Sequence, residues 1–116
     1  MDLLAMSDSE LMQLADPIYN ELIEASNSRN LDAFTKHMPN ELINDEIKQD
    51  IEEQWDNVPF LTALSEKKEF LGLLRRKSTI HVLWKQWSEI NDTQYLGVLV
   101  LKNINGKVKS NGFFIK

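Results

Sequence analysis

The sequence predicts an α+β domain in which three N-terminal helices pack on a curved antiparallel sheet. Three observations carry that prediction. Between Leu11 and Trp55, apolar residues recur at helical spacing. From about Phe70 to the C-terminus, the pattern changes to runs rich in β-branched and large apolar residues, broken by turn signals. Within that second part stands Asn105-Gly106, the strongest hairpin signal in the chain.

The first helix is predicted from its start. Ser7, with Glu10 three residues on, forms a capping box, and Met6 with Leu11 forms a hydrophobic staple. Asp8 and Glu10 suit the positive end of the helix dipole. Leu11, Leu14, Ile18, Leu22 and Ala25 then make one apolar face. Pro17 removes a backbone donor within this run. Because the apolar phase continues across it, one helix kinked near residue 16 is expected, rather than a fresh helix started by Asp16 and Pro17. It should fade in Ser26-Asn27-Ser28. Asn30 caps a short second helix with Leu31, Phe34 and Met38 on its apolar side, and Pro39 stops it. A third helix is predicted from Asn40 to Asp56. Ile43, Ile47, Ile51 and Trp55 form its stripe, and Asp45, Glu46, Asp50, Glu52 and Glu53 form a solvated acidic side.

Asn57-Val58-Pro59 ends that helix. The next apolar residues, Phe60-Leu61 and Ala63-Leu64, fit a stub strand or a last helical turn. Strands follow at Phe70–Arg76, Thr79–Glu89, Gln94–Lys102 and Lys107–Ile115, joined at Lys77-Ser78, Asn91-Asp92 and Asn105-Gly106. For the last hairpin, a two-residue loop would set Lys102 opposite Lys109, a like-charge pair. A three-residue loop with a bulge at Gly106 avoids this and is the expected form. Grouped by parity, Ile80, Val82, Trp84, Leu96, Val98 and Val100 would share one face. Leu83, Trp87, Tyr95, Leu99 and Leu101 would share the other. Both faces read as apolar. The helices can cover one, so a homodimer through the other is expected.

The 116 residues suit one domain, residues 1–116. Without cysteine there is no disulfide, thiolate metal site or cysteine nucleophile, and with only His37 and His81 a histidine-rich metal site is not expected. No metal or cofactor is predicted. The start, MDLLAMSDSE, lacks the basic region of a signal peptide, and no apolar run approaches the ~20 residues of a bilayer span. The expectation is a soluble cytoplasmic protein without a membrane partner. Net charge is −5, unevenly placed: residues 1–66 carry 15 acidic and 3 basic side chains, residues 67–116 carry 3 and 10. An acidic helical layer over a basic sheet explains this. An acidic total argues against a nucleic-acid partner, although Arg75-Arg76-Lys77, Lys85, Lys102, Lys107 and Lys109 lie in the strand region.

Helix, helix, helix and then a run of antiparallel strands resembles the nuclear transport factor 2-like superfamily, a cone-shaped, cystatin-like α+β fold. Locally, Leu99-Val100-Leu101, Asn105-Gly106-Lys107-Val108-Lys109 and Gly112-Phe113-Phe114-Ile115 are similar to the final hairpin of uncharacterised small bacterial members. Those often carry an aromatic residue where Val108 stands. Phe70-Leu71-Gly72 with Arg75-Arg76, and Val82-Leu83-Trp84, resemble the earlier strands. The resemblance implies a cavity between sheet and helices, and it reaches members with and without catalysis, so it leaves function open.

Four residues are candidates for lining such a cavity: Tyr19, Trp55, Trp84 and His81. Aromatic walls suit a small apolar ligand. Trp84 and Trp87, three apart on one strand, must face opposite ways, so only one can look inward. Catalysis would need an acid or base inside the cone. Glu69, Glu89 and Asp92 fall at strand ends or turns, His81 has no evident partner, and Tyr19 resembles a family position that supplies an oxyanion donor. The sequence therefore reads as a ligand-binding or protein-interaction domain without a catalytic set. The alternative is a small isomerase, cyclase or hydrolase-like enzyme using Tyr19 and His81 on a hydrophobic ligand.

Overall fold

The computed structural model describes residues 2–116. Three α-helices and short 3-10 turns come first, and a four-stranded antiparallel sheet follows. The helices are α1 (Asp8–Ser28), α2 (Leu31–Thr35) and α3 (Asp45–Asn57). The strands are β1 (Leu64–Arg75), β2 (Ile80–Ser88), β3 (Gln94–Ile104) and β4 (Lys107–Ile115), in spatial order β1-β2-β3-β4. Each strand pairs with its sequence neighbours, leaving β1 and β4 as the edges.

The α1 capping box forms as the sequence predicts: the Ser7 hydroxyl accepts from the Glu10 amide, and the Glu10 carboxylate accepts from the Ser7 amide. The helix runs through Pro17 without interruption and through the polar Ser26–Ser28 stretch. It ends at Arg29, whose φ of 54° is the left-handed closing conformation. One face of α1 explains its length. Leu11, Ala15, Ile18, Tyr19 and Leu22 are all buried against the sheet, and that packing outweighs the bond lost at Pro17. Asn30 caps α2 through the Ala33 amide.

Several boundaries differ from the sequence reading. The predicted third helix divides into a 3-10 turn, Asn40–Leu42, and α3, which Asn44 caps through the Ile47 amide. Phe60 and Leu61 belong to a 3-10 turn, Pro59–Thr62. β1 starts at Leu64 rather than Phe70. Leu64 pairs with Ser88, Lys68 with Gln86 and Glu69 with Lys85, so the pairing with β2 extends upstream of Phe70, and the outer edge of its first residue is met by α1. Asn27 of α1 donates its amide to the Leu64 carbonyl and accepts from the Leu64 amide, both at 2.8 Å.

The last hairpin also differs. Lys102 pairs with Lys109 and Ile104 with Lys107, so the loop is the two residues Asn105-Gly106, with φ of 53° and 81°. Both positive values define the tight turn that matches strand twist, and Asn-Gly adopts it readily. That preference exceeds a like-charge cost of a few tenths of a kcal/mol. A bulge does occur on β4, but between Gly112 and Ser110, where the partners shift from Val100 to Leu101.

The register corrects the grouping of faces. Ile80 pairs with Leu101, Val82 with Leu99 and Trp84 with Gly97, so even residues of β2 share a face with odd residues of β3. The helices cover this face, and Ile80, Val82, Trp84, Leu99 and Leu101 join the α1 stripe in one core. The outer face carries His81, Leu83, Lys85 and Trp87 of β2 with Leu96, Val98 and Val100 of β3. Trp84 and Trp87 do point opposite ways: Trp84 is in the core, and Trp87 is half-exposed outside. Among the described residues, no helix is long and apolar enough to cross a membrane.

Candidate functional site

Between α2, α3 and the C-terminal half of β4 lies a cavity of about 300 Å³. Leu22 of α1, Phe34 and Met38 of the α2 region, Ile47, Ile51 and Trp55 of α3, and Phe113 and Ile115 of β4 make its apolar wall. Ser26, Gln54, Ser110 and Asn111 supply its polar atoms. Among the described residues, Lys116 is the one charged side chain in the lining, and no Asp, Glu or His takes part. The size matches the lower end of small-molecule pockets, about 300–1,000 Å³.

Trp55 holds the cavity together. It is 4% exposed, and its indole N–H donates to the Ser26 hydroxyl at 3.1 Å. Ser26 donates in turn to the Leu61 carbonyl. The Trp55 ring meets Phe34 edge-on at 5.4 Å, and Phe34 meets Phe113 the same way at 5.7 Å. Such contacts favour edge-to-face geometry and contribute about 0.5–1.5 kcal/mol each beyond burial. Arg29, just past α1, grips the end of α3 through Asp56 at 2.6 Å and the Trp55 carbonyl at 3.1 Å.

The other candidates lie elsewhere. Tyr19 stacks on Trp84 with ring centroids 3.8 Å apart, deep in the core. Its hydroxyl donates to Gln86 Oε1 at 2.8 Å. Gln86, 0% exposed, completes its bonding by donating to the carbonyls of Ser65 and Trp87. Burial pushes the Tyr19 phenol well above its ordinary value. The hydroxyl is therefore neutral, bonded and sealed, which is a structural role. Neither Tyr19 nor Trp84 lines the cavity. His81 is on the outer face, so it and Tyr19 flank the sheet from opposite sides. Burial, and secondarily the Arg76 guanidinium, hold its imidazole below the ordinary value. Of the four candidates, Trp55 alone borders the cavity.

Sequence reasoning missed Phe34, Ile47, Ile51 and Phe113 as cavity residues because periodicity marks them only as apolar. It also missed Gln86, although a Gln in register with Val82 and Trp84 signals a polar group entering the core. The outer face has its own arrangement. Lys67 lies 4.4 Å from the Trp87 ring centroid, Lys85 lies 5.8 Å from it, and Lys85 approaches Glu69 at 3.8 Å. Leu74 and Phe114, 43% and 53% exposed, extend the apolar strip toward both sheet edges. The described residues form no cluster of His, Cys, Asp and Glu that could hold a metal ion. Compared with known proteins, the chain matches no family model and no curated protein.

Proposed function

We propose that the chain is a cytoplasmic ligand-binding domain of the nuclear transport factor 2-like, cone-shaped type, whose cavity takes a small neutral apolar molecule. The observation that carries this is the makeup of the cavity: aromatic and aliphatic walls, a few hydroxyl and amide groups, Lys116 as the one charged side chain, and no Asp, Glu or His side chain among the described lining residues. A ligand would gain from apolar burial and from one or two hydrogen bonds that fix its orientation. The test is a thermal melt with a panel of medium-chain alcohols and one- or two-ring neutral compounds. A binder at 100 times its dissociation constant stabilises the fold by about 2.7 kcal/mol. Ile51→Trp, which narrows the cavity at a half-exposed position, should abolish the shift. A panel without any shift, or shifts that Ile51→Trp leaves unchanged, would overturn the reading.

A second reading concerns the outer face, and exposed Leu74 and Phe114 beside Leu83, Leu96 and Val98 favour it. A second copy, sheet against sheet, would cover this strip. Sedimentation equilibrium at micromolar concentration should then show a dimer, and Phe114→Glu should dissociate it without unfolding. A monomer at that concentration rules the pairing out.

A further inference from the structure

We infer that the first three turns of α3, residues 45–54, are a hinged wall of the cavity that opens by unwinding locally, back to the Trp55 anchor. The inference rests on the ligand-binding reading for its purpose but not for its geometry.

The anchor lies wholly at one end. Trp55 bonds Ser26, and Arg29 binds both Asp56 and the Trp55 carbonyl. Val58 closes the last turn on the Gln54 carbonyl. Upstream, the hydrogen bonds at Asn44 and between Gln49 and Glu53 stay within the helix and its cap. Trp55 is the only buried residue of α3. Ile47 and Ile51 remain half-exposed because the space beneath them is the cavity. These turns therefore miss the packing that ordinarily stabilises an amphipathic helix.

Intrinsic stability does not compensate. A 13-residue helix is marginal in water. Its outer side is crowded with acid: Glu46 and Asp50 are like charges four residues apart, and Lys48, four residues before Glu52, is the single basic residue. The flanks can absorb motion, since 3-10 turns at Asn40–Leu42 and Pro59–Thr62 bound the segment. A ligand touching Ile47 and Ile51 would supply the missing packing and draw the wall shut.

Native-state hydrogen exchange on the unliganded chain tests this. The amides of Lys48–Gln54 should exchange at least about 100-fold faster than those of Leu22–Ser26 in α1, through an opening nearly insensitive to denaturant. Asp50→Lys replaces the repulsion from Glu46 with an attraction between opposite charges four residues apart, and should slow α3 exchange about 2- to 5-fold while leaving α1 unchanged. Equal protection of α1 and α3, both opening only on global unfolding, would overturn the hinge, and so would an Asp50→Lys effect spread equally over both helices. Because no ligand is used, fast α3 exchange combined with a flat thermal-shift panel would sink the ligand reading and leave the hinge standing.

Discussion

The Tyr19 hydroxyl occupies the space that a side chain on Gly97 would need: a Cβ built there would stand 2.1 Å from the Tyr19 oxygen. The tyrosine cannot yield, because its ring is stacked on Trp84 and its hydroxyl is bonded to Gln86. Helix and sheet are thereby keyed together at one point. Gly97→Ala should cost about 1–3 kcal/mol through overpacking, measured by urea unfolding. In the double variant Gly97→Ala, Tyr19→Phe, the hydroxyl clash is gone, so the two costs should sum to less than their separate values.

Tyr19→Phe alone leaves the buried Gln86 oxygen without its donor. The expected loss is about 1–3 kcal/mol. Gln86→Leu made on top of Tyr19→Phe, which replaces the remaining polar group with an apolar one, should cost less than Gln86→Leu in the wild-type chain.

Pro17 is an unfavourable residue in the middle of a continuous helix. Pro17→Ala restores a helical donor and should stabilise the protein by about 2 kcal/mol, the removed interior-proline penalty less the entropy the unfolded chain regains. The midpoint of thermal unfolding reports it.

The His81 imidazole sits below its ordinary value of 6.5 because of burial and, to a lesser degree, Arg76. The unfolded chain therefore takes up a proton more readily than the folded one. The stability linked to His81 is present above about pH 6.5 and is lost as pH falls through the depressed value. His81→Gln should flatten the stability profile in that window. Glu21, lowered by its hydrogen bond from His37, acts separately: its contribution is lost only at more acidic pH, as its carboxylate protonates below 4.5.

Much of the secondary structure followed from local chemistry. The Ser7–Glu10 box, the Asn30 cap and the four strands need only near neighbours in the chain. The register did not follow, because parity sorts residues within one strand and says nothing of how two strands align. Pairing Ile80 with Leu101 moved Leu99 and Leu101 to the core and Val98 and Val100 outside. At Asn105-Gly106 a turn preference outweighed a charge repulsion, a comparison of magnitudes that the residue pattern alone leaves open. The cavity was hidden for a related reason. Ile47 and Ile51 look like ordinary core residues, and only the placement of α3 over β4 shows that nothing fills the space beneath them.

The most direct test of the central proposal is the intrinsic fluorescence of the Trp84→Phe, Trp87→Phe double variant, which keeps Trp55 as its only tryptophan, titrated with the compound giving the largest thermal shift. The predicted result is a saturable change in Trp55 emission, together with a heat of binding that calorimetry no longer detects once Ile51→Trp is added. A thermal shift with no change at Trp55 would place the ligand elsewhere and contradict the account.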